Sequence, residues 1–424
     1  MSEIVLPEVT IGPDALEALA SFCSESPFKT FHLVADPITY SILGRTVETT
    51  LNSSGLKGMA TILEGFPLLA GSDAVLQLLT AASPLSDVFL AVGSGTVTDV
   101  VRFASRCLNR PFISVPTAPS VDGYTSSTSP LIVSQVKRSF PGQLPLAVFA
   151  HLPTLCEAPA EMIASGFGDM IGKATALADW KLGHLLWNEP YDEDIARNAR
   201  ADLQRCIDSV SSIASHETQG IRVLMECQID SGLNMAKAGS SRPASGAEHH
   251  MAHYWEMRFI WENRPPLLHG LKVGFATLWI ADLYARFQRL GLSELKQVLD
   301  KTPLPNTQLS IQDIKTFYSR NSDRIISEQR HFLDLDETRW IALKARIYEN
   351  WDEILAIVKN VPRGPELEAT LNVIKFPLMP SDLDLSETDI TEALTAAHYL
   401  RDRMTVLKLL WLVPGFFKTS HAST

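Results

Sequence analysis

Short apolar runs alternate with helical stretches up to about residue 151 of the chain. The runs at 31–35, 87–92 and 112–115 are rich in valine, leucine and phenylalanine, which predicts buried strands. Helical stretches separate these runs. Alternation of this kind predicts a doubly wound, Rossmann-like parallel sheet.

After Pro153 the hydrophobic positions follow helical periodicity almost throughout. The predicted helices include 195–214, 220–238, 271–290 and 340–358, with capping or turn residues between them. A length of 424 residues suggests two domains. We therefore predict an α/β domain over residues 1–155 and an all-helical domain over 156–424, with the active site in the cleft between them.

Four of the eleven histidines lie close together in the helical part. If a helix starts after Gly246, His249 and His253 lie one turn apart on the same face, whereas His250 points about 100° away. A further imidazole comes from His269, on a neighbouring element. This spacing favours His249 and His253 over His250 as metal ligands, and a packed or surface histidine is the alternative at each position. No paired cysteines accompany the histidines, which excludes a zinc-finger pattern.

Asp169 offers a carboxylate for the same site. The glycines before it permit a close approach of the backbone to a ligand, and the alanine-rich run after it predicts a helix whose first turn holds Asp169. The alternative is an ordinary first-turn aspartate stabilised by the helix dipole.

The turn Gly93–Ser94–Gly95 separates the strand at 87–92 from a predicted helix. Backbone amides at that helix start favour a pyrophosphate, because glycines allow close approach and the helix dipole attracts an anion. The third glycine of the dinucleotide fingerprint is absent, so a plain strand–turn–helix is the alternative. Asp36 ends the strand at 31–35, where a carboxylate can bind ribose hydroxyls and repel a 2′-phosphate, which favours NAD over NADP.

A loop rich in hydroxyl groups follows the third strand, between Pro116 and Pro130. Open α/β sheets bind ligands at the carboxyl ends of their strands, so this loop is a candidate part of the site. The alternative is solvated turn chemistry without a ligand.

The composition narrows the class of protein. A formal net charge of −11 disfavours nucleic acid as a partner. The five cysteines are widely spaced and odd in number, so we expect no disulfide framework and a reducing compartment.

The start of the chain lacks a basic stretch followed by an apolar core, and no run of about twenty apolar residues occurs, so we expect a cytoplasmic protein without a membrane span. The longest apolar segment, 406–417, is interrupted by Lys408 and Pro414 and predicts a buried terminal helix.

Taken together, these motifs resemble the glycerol-1-phosphate dehydrogenases. That family lies within the superfamily of iron-containing alcohol dehydrogenases, glycerol dehydrogenases and dehydroquinate synthases. The resemblance runs from about Asp36 to about Gly274 and weakens toward the C-terminus. Segments 93–99 and 168–173 and the two histidine motifs mark the superfamily, whereas 116–124 and 242–249 look like the bacterial glycerol-1-phosphate branch. The turn at Gly93 departs from the commoner triple-glycine loop.

The resemblance implies a dehydroquinate synthase-like fold and a metal- and NAD(H)-dependent oxidoreductase that interconverts dihydroxyacetone phosphate and sn-glycerol-1-phosphate. Asp169, His249 and His269 match the family's metal ligands, with nickel or zinc as the ion. Asp122, Asp169 and His253 match residues that line the substrate pocket and take part in catalysis. A homodimer is the family's expected assembly. The family's NAD contacts correspond to Asp36, Gly95, Thr96, Val97, Thr98, Asp99, Thr117, Ala118, Pro119, Ser120 and Ser126.

Other functions remain open at the level of sequence. A glycerol or related polyol dehydrogenase would lack phosphate recognition, and a dehydroquinate synthase-like cyclase would be expected to have more basic residues around its pocket. A catalytically silent NAD- or metal-binding regulatory protein would have no need for all three predicted ligands. The residue that binds the substrate phosphate is not identified. Arg242, Lys173 and Lys272 are near the metal motifs in sequence, and each is equally explained as a surface or structural charge.

Overall fold

The computed structural model describes residues 5–413, and its first part is an α/β region. Six parallel strands form a sheet in the order β1–β8–β5–β4–β2–β3, and β6 and β7 form a separate antiparallel hairpin. The strands are β1 (Glu8–Gly12), β2 (Thr30–Ala35), β3 (Lys57–Ile62), β4 (Val88–Gly93), β5 (Phe112–Pro116), β6 (Thr128–Val133), β7 (Val136–Pro141) and β8 (Ala147–His151).

Helices surround the sheet and make up almost all of the chain after β8. They are α1 (Ala15–Glu25), α2 (Pro37–Thr39), α3 (Arg45–Ser53), α4 (Ser72–Ala81), α5 (Gly95–Cys107), α6 (Leu152–Cys156), α7 (Ala160–Ile171), α8 (Lys173–Trp187), α9 (Glu193–Asp208), α10 (Val210–Ala214), α11 (Thr218–Ala238), α12 (Ala247–Trp261), α13 (His269–Phe287), α14 (Leu292–Lys301), α15 (Thr307–Tyr318), α16 (Ser322–Glu328), α17 (Arg330–Leu333), α18 (Glu337–Glu349), α19 (Trp351–Lys359), α20 (Gly364–Val373), α21 (Glu387–Ala396) and α22 (Val406–Trp411).

The predicted strands and sheet type are confirmed. Every residue of β4 is buried, as expected for a strand covered by helices on both faces. From β2 the chain continues to β3, toward one edge of the sheet, and from β4 it continues to β5, toward the opposite edge. The connections therefore diverge at the carboxyl ends of β2 and β4, which is where open α/β sheets bind ligands.

Two predicted helices are each divided in two. Residues 195–214 form α9 and α10 with a break at Ser209, and 340–358 form α18 and α19 with a break at Asn350. The hairpin of β6 and β7 was not predicted, because its strands are short and largely polar on one face. The apolar segment near the C-terminus forms the buried helix α22, while Pro414 and the residues after it lie outside the described part.

The prediction that Asp169 lies in the first turn of a helix is wrong. The helix α7 begins at Ala160, after Pro159, and Asp169 is in its last turn. Glycines inside this helix serve close packing. A Cβ on Gly166 would overlap the carbonyl oxygen of Pro119, and a Cβ on Gly270 in α13 would overlap the carbonyl oxygen of Ser165. This tight contact between α7 and α13 brings Asp169 and the start of α13 together.

Within residues 5–413, every helix is too short or too polar to cross a lipid bilayer. The largest hydrophobic cluster fills most of the helical region and also includes residues of the α/β region such as Tyr124 and Val148. A small cluster joins α8 and α9, and two further clusters lie on the two faces of the sheet.

Candidate active site

Three of the clustered histidines face one another. Helix α12 begins at Ala247 after Gly246, as predicted, and presents His249 and His253 one turn apart. His269 is the first residue of α13. Its ring centroid lies 5.4 Å from that of His249 and 5.2 Å from that of His253. The ring of His269 thus lies against α12, where Glu256 accepts its Nδ1 hydrogen bond.

Asp169 completes this group. Its Oδ1 lies 3.4 Å from Nε2 of His249 and 3.8 Å from Nε2 of His269. The carboxylate is buried, and among the described residues Oδ1 has no hydrogen-bond donor. Ligand atoms of the three residues all lie within 4.8 Å of one another. The unpartnered carboxylate oxygen and the two imidazole nitrogens together form a ligand set that fits a divalent transition-metal ion.

Electrostatics agree with a cation at this position. Burial raises the pKa of Asp169, but the adjacent imidazole of His249 and the charges of His269 and Lys173 outweigh it and lower the pKa below its usual range. Burial lowers the pKa of His249, but its interactions with the carboxylates of Asp169 and Glu248 raise it to about 9. A metal ion bound here would replace the proton on His249.

Two glutamates on α12 orient the imidazoles. Glu248 Oε1 lies 2.8 Å from Nδ1 of His249. Glu256 accepts hydrogen bonds from Nδ1 of His269 through Oε1 and from Nδ1 of His253 through Oε2, both at 2.8 Å. Carboxylates in this position fix the tautomer and leave Nε2 of each ring for another partner. Sequence reasoning missed both, although Glu248 adjoins His249 and Glu256 is three residues after His253.

His250 lies apart from the group. Its ring is buried, and both of its nitrogens lack a hydrogen-bond partner within residues 5–413. Burial lowers its pKa well below the usual value, so it is a neutral side chain. This agrees with the different direction predicted for His250 on the helix.

Asp122 connects the loop after β5 to the metal-type group. Its backbone N–H donates to Asp169 Oδ2 at 2.9 Å. Its carboxylate pairs with the buried ammonium of Lys173 at 2.7 Å and accepts a hydrogen bond from Ser231 at 2.8 Å. The residue predicted to line the substrate pocket is therefore held beside Asp169 by groups from α8 and α11.

The predicted nucleotide contacts gather where the chain connections diverge. Asp36 follows β2, Gly95 opens α5, and the turn between β4 and α5 includes Ser94, whose side chain makes no capping hydrogen bond. The first N–H groups of α5 are thus available to a phosphate, as expected at a helix start. Asp36 Oδ1 caps α2 by accepting from the backbone N–H groups of Ile38 and Thr39.

A buried arginine, which the sequence did not reveal, shapes the hydroxyl-rich loop. Arg102 on α5 pairs with Asp99 at 2.6 Å. It also donates to the carbonyl oxygens of Gly123, Tyr124 and Thr128. Burial raises the pKa of Asp99 to about 6, against the lowering effect of Arg102 and Lys137. The loop that bears the predicted contacts Thr117, Ala118, Pro119, Ser120 and Ser126 is therefore tied to the helix that bears Thr96, Val97, Thr98 and Asp99.

None of the three candidate phosphate-binding cations is unpaired. Lys173 pairs with Asp122, Arg242 pairs with Glu189 at 2.6 Å, and Lys272 pairs with Glu256 at 3.1 Å. Lys272 thus pairs with the same carboxylate that orients His253 and His269.

Relatives of known name are similar along nearly the whole chain. Residues 10–159 match the family described as iron-containing alcohol dehydrogenase. The glycerol-1-phosphate dehydrogenase (NAD(P)+) of Halalkalibacterium halodurans is 36% identical over 410 residues, covering 96% of this chain and 92% of that protein. The protein of the same name from Geobacillus thermodenitrificans is 36% identical over 412 residues, covering 96% of this chain and 93% of that protein.

Solved structures share the fold at low sequence identity. A probable glycerol dehydrogenase from Sinorhizobium meliloti 1021 superposes with a TM-score of 0.61 at 14% identity, covering 99% of this chain and 98% of that chain. At this identity the similarity shows the fold alone. The predicted fold class, an α/β region followed by a helical region, is confirmed.

Proposed function

Because the chain belongs to the glycerol-1-phosphate dehydrogenase family, we propose that it interconverts dihydroxyacetone phosphate and sn-glycerol-1-phosphate with NAD(H) and a divalent metal ion. One observation carries this proposal. The imidazoles of His249 and His269 lie beside Oδ1 of Asp169, a buried oxygen that has no hydrogen-bond donor in the described chain. The other oxygen of this carboxylate accepts the N–H of Asp122, which belongs to the loop beside the nucleotide crevice.

Asp169, His249 and His269 would hold the metal ion through one oxygen and two Nε2 atoms. A divalent ion supplies Lewis-acid stabilisation of the negative charge that develops on the substrate oxygen during hydride transfer. The protein contributes the geometry, since Glu248 and Glu256 fix the rings through Nδ1. Lys173 and Ser231 hold Asp122, which orients Asp169 through its N–H group.

His253 is the proposed acid–base residue. Its Nδ1 donates to Glu256, because a carboxylate only accepts hydrogen bonds. Burial raises the pKa of Glu256, but the charges of Lys137, Lys272 and His269 outweigh it and hold the pKa well below the usual value, so the carboxylate is ionised. Nε2 of His253 is thus left to accept the hydroxyl proton when the alcohol is oxidised and to return it when the ketone is reduced.

The nucleotide crevice would take NAD(H) at the carboxyl ends of β2 and β4. The unsatisfied N–H groups at the start of α5 suit the pyrophosphate. Asp36 suits the adenosine ribose, since its Oδ2 has a hydroxyl donor only from Thr39 in the described chain. The loop after β5 and the first turn of α5 supply the remaining contacts proposed for the cofactor, from Gly95 to Asp99, from Thr117 to Ser120, and at Ser126.

Nickel and zinc both suit one carboxylate and two imidazoles. A two-domain division at 155/156 is supported by the end of the last strand at His151, after which the described chain is helical. Family membership supports a homodimer. The five free cysteines support a reducing compartment, and so a cytoplasmic protein.

Turnover with defined substrates tests the function. The protein is stripped of metal with a chelator and reloaded with nickel or zinc. Its reaction with dihydroxyacetone phosphate or with unphosphorylated dihydroxyacetone is then followed by the absorbance of NADH. We expect metal-dependent oxidation of NADH with the phosphorylated ketone at a much higher kcat/KM. Preference for the unphosphorylated ketone would favour a polyol dehydrogenase instead. Absence of turnover with either ketone, despite bound metal and NADH, would contradict the proposal.

A further inference from the structure

Lys137 brings a positive charge from the α/β region to the histidine group. It lies on β7 of the hairpin, and its Nζ is 2.8 Å from Oε2 of Glu256 on α12. The same Glu256 oxygen accepts the hydrogen bond from His253 Nδ1. Lys137 also lies near enough to Asp99 on α5 for its charge to act on that carboxylate. Its ammonium group thus contacts the carboxylate that orients His253, and its charge also acts on α5.

The positive charges around Glu256 outnumber its single negative charge. Lys272 pairs with Oε1 at 3.1 Å and Lys137 pairs with Oε2. Two ammonium groups therefore share one carboxylate, and one positive charge is left over at the edge of the proposed substrate pocket.

The two lysines differ in accessibility and in partners. The side chain of Lys272 is 4% exposed, and it also donates to the carbonyl oxygen of Leu267. The side chain of Lys137 is 18% exposed, and within residues 5–413 its only ion-pair partner is Glu256. Lys137 can therefore contact an incoming anion without leaving a buried polar group unpaired. Lys173 and Arg242, in contrast, each pair with a carboxylate of their own.

We propose that Lys137 binds the phosphate of the substrate and so selects a phosphorylated ketone over an unphosphorylated one. This inference rests on the proposed function, and it names the specificity residue of the same site. The shared partner is the physical reason, because a phosphate monoester that enters beside His253 meets an ammonium whose one ion-pair partner within residues 5–413, Glu256, is already paired with Lys272. The hairpin places this ammonium opposite α12, so the substrate would lie between the two regions of the chain.

The test compares Lys137→Gln with Lys137→Arg and with a control on the same strand. Arg138 is the next residue and is exposed, and side chains alternate between the two faces of a strand, so Arg138→Gln removes a positive charge from the opposite side. Metal content and NADH affinity are measured first, because an unchanged value shows that Glu256 and the histidines are still in position. The kcat and KM are then measured for dihydroxyacetone phosphate and for dihydroxyacetone.

For Lys137→Gln we expect KM for dihydroxyacetone phosphate to rise about 10- to 100-fold, the range for losing a hydrogen bond to a charged group. Turnover of dihydroxyacetone should change little, Lys137→Arg should recover part of the loss, and Arg138→Gln should match the unaltered protein. An equal loss with both ketones would mean that Lys137 only supports Glu256, and the inference would be wrong.

Binding of inorganic phosphate by calorimetry gives a second readout that does not depend on turnover. We expect the unaltered protein to bind phosphate and Lys137→Gln to bind it at least about 10-fold more weakly. If the unaltered protein fails to reduce dihydroxyacetone phosphate, the proposed function fails, yet this difference in phosphate affinity still decides the role of Lys137. Equal affinity in the two proteins would overturn the inference even if turnover is normal.

Discussion

Glu248 Oε1 lies 2.8 Å from Nδ1 of His249, the residue that follows it on α12. The same oxygen accepts the backbone N–H of Gly246, and Oε2 accepts the hydroxyl of Thr175, both at 2.6 Å. Glu248 is completely buried, so its side chain has one position. Glu248 thus fixes the imidazole of the adjacent His249, whose Nε2 faces Asp169.

Replacing Glu248 with glutamine tests this arrangement. The amide retains nearly the same volume but removes the charge that orients His249, so we expect metal affinity to fall about 10- to 100-fold, as is usual for such outer partners. Metal titration of the stripped protein measures the change. Unchanged affinity in Glu248→Gln would show that the ring is held by packing alone.

The proposed metal ligands are tested by alanine substitution. Asp169→Ala, His249→Ala and His269→Ala should each abolish both metal content and activity, because each removes one of three ligands. His250→Ala should do neither, since His250 has no part in the group. Metal analysis of the four purified variants checks this, and full occupancy in His249→Ala with loss in His250→Ala would identify the wrong imidazole.

His253 should separate metal binding from catalysis. His253→Ala should keep its metal and bind NADH, but lose about 10²-fold or more in kcat, the usual scale for a positioned acid–base group. His253→Asn keeps some hydrogen bonding without titrating, so it distinguishes positioning from proton transfer. Steady-state kinetics and metal analysis provide the answer. Loss of metal in His253→Ala would make this residue a ligand, and near-normal turnover would make it a packed side chain.

Asp36 should set the choice between NADH and NADPH. A carboxylate at the end of β2 attracts ribose hydroxyls and repels a 2′-phosphate, so both effects favour NADH. Asp36→Ser should relax the preference without unfolding α2, because serine is also a good helix cap. The ratio of kcat/KM for the two cofactors is the measurement. Equal efficiency with both cofactors in the unaltered protein would contradict this role.

Asp179 should stabilise the fold away from the chemistry. Its carboxylate accepts the N–H groups of Ala247 and Val406 and the hydroxyl of Tyr284, so it anchors the starts of α12 and α22. Asp179→Ala leaves three buried donors without an acceptor and should cost at least ~3 kcal/mol of unfolding free energy. Asp179→Asn should cost less, because its amide oxygen still accepts two of them. Urea unfolding of both variants measures the costs, and near-native stability of Asp179→Ala would contradict the anchoring role.

Asp179 also predicts how stability depends on pH. Burial and the charge of Glu248 raise its pKa to about 7, above the value of about 3.9 expected in the unfolded chain. The folded protein therefore binds this proton more tightly, and the resulting stability is complete below about pH 4 and lost as pH rises through about 7. The unfolding free energy of the metal-free protein should fall over that range, and Asp179→Asn should remove this part of the slope.

Local sequence patterns determined the elements and several members of the candidate site. Apolar runs gave β2, β4 and β5, because a strand buried on both faces must be apolar along its whole length. Helical spacing separated His249 and His253 from His250, because that relation depends only on the helix repeat. The position of Asp169 within its helix was mispredicted, since the glycines that suggested a turn instead allow α7 to contact α13.

Only the tertiary structure decided which distant charges meet. The partners of Glu256 come from the hairpin, from α12 itself and from α13, and the loop after β5 is held by Arg102 from α5. No spacing in the sequence encodes these contacts, because they depend on how separate elements pack. A lysine on a short polar strand is ordinary until the fold places it 2.8 Å from a carboxylate that already has a second lysine. Burial then makes the imbalance of charge matter, because few water molecules remain to screen it.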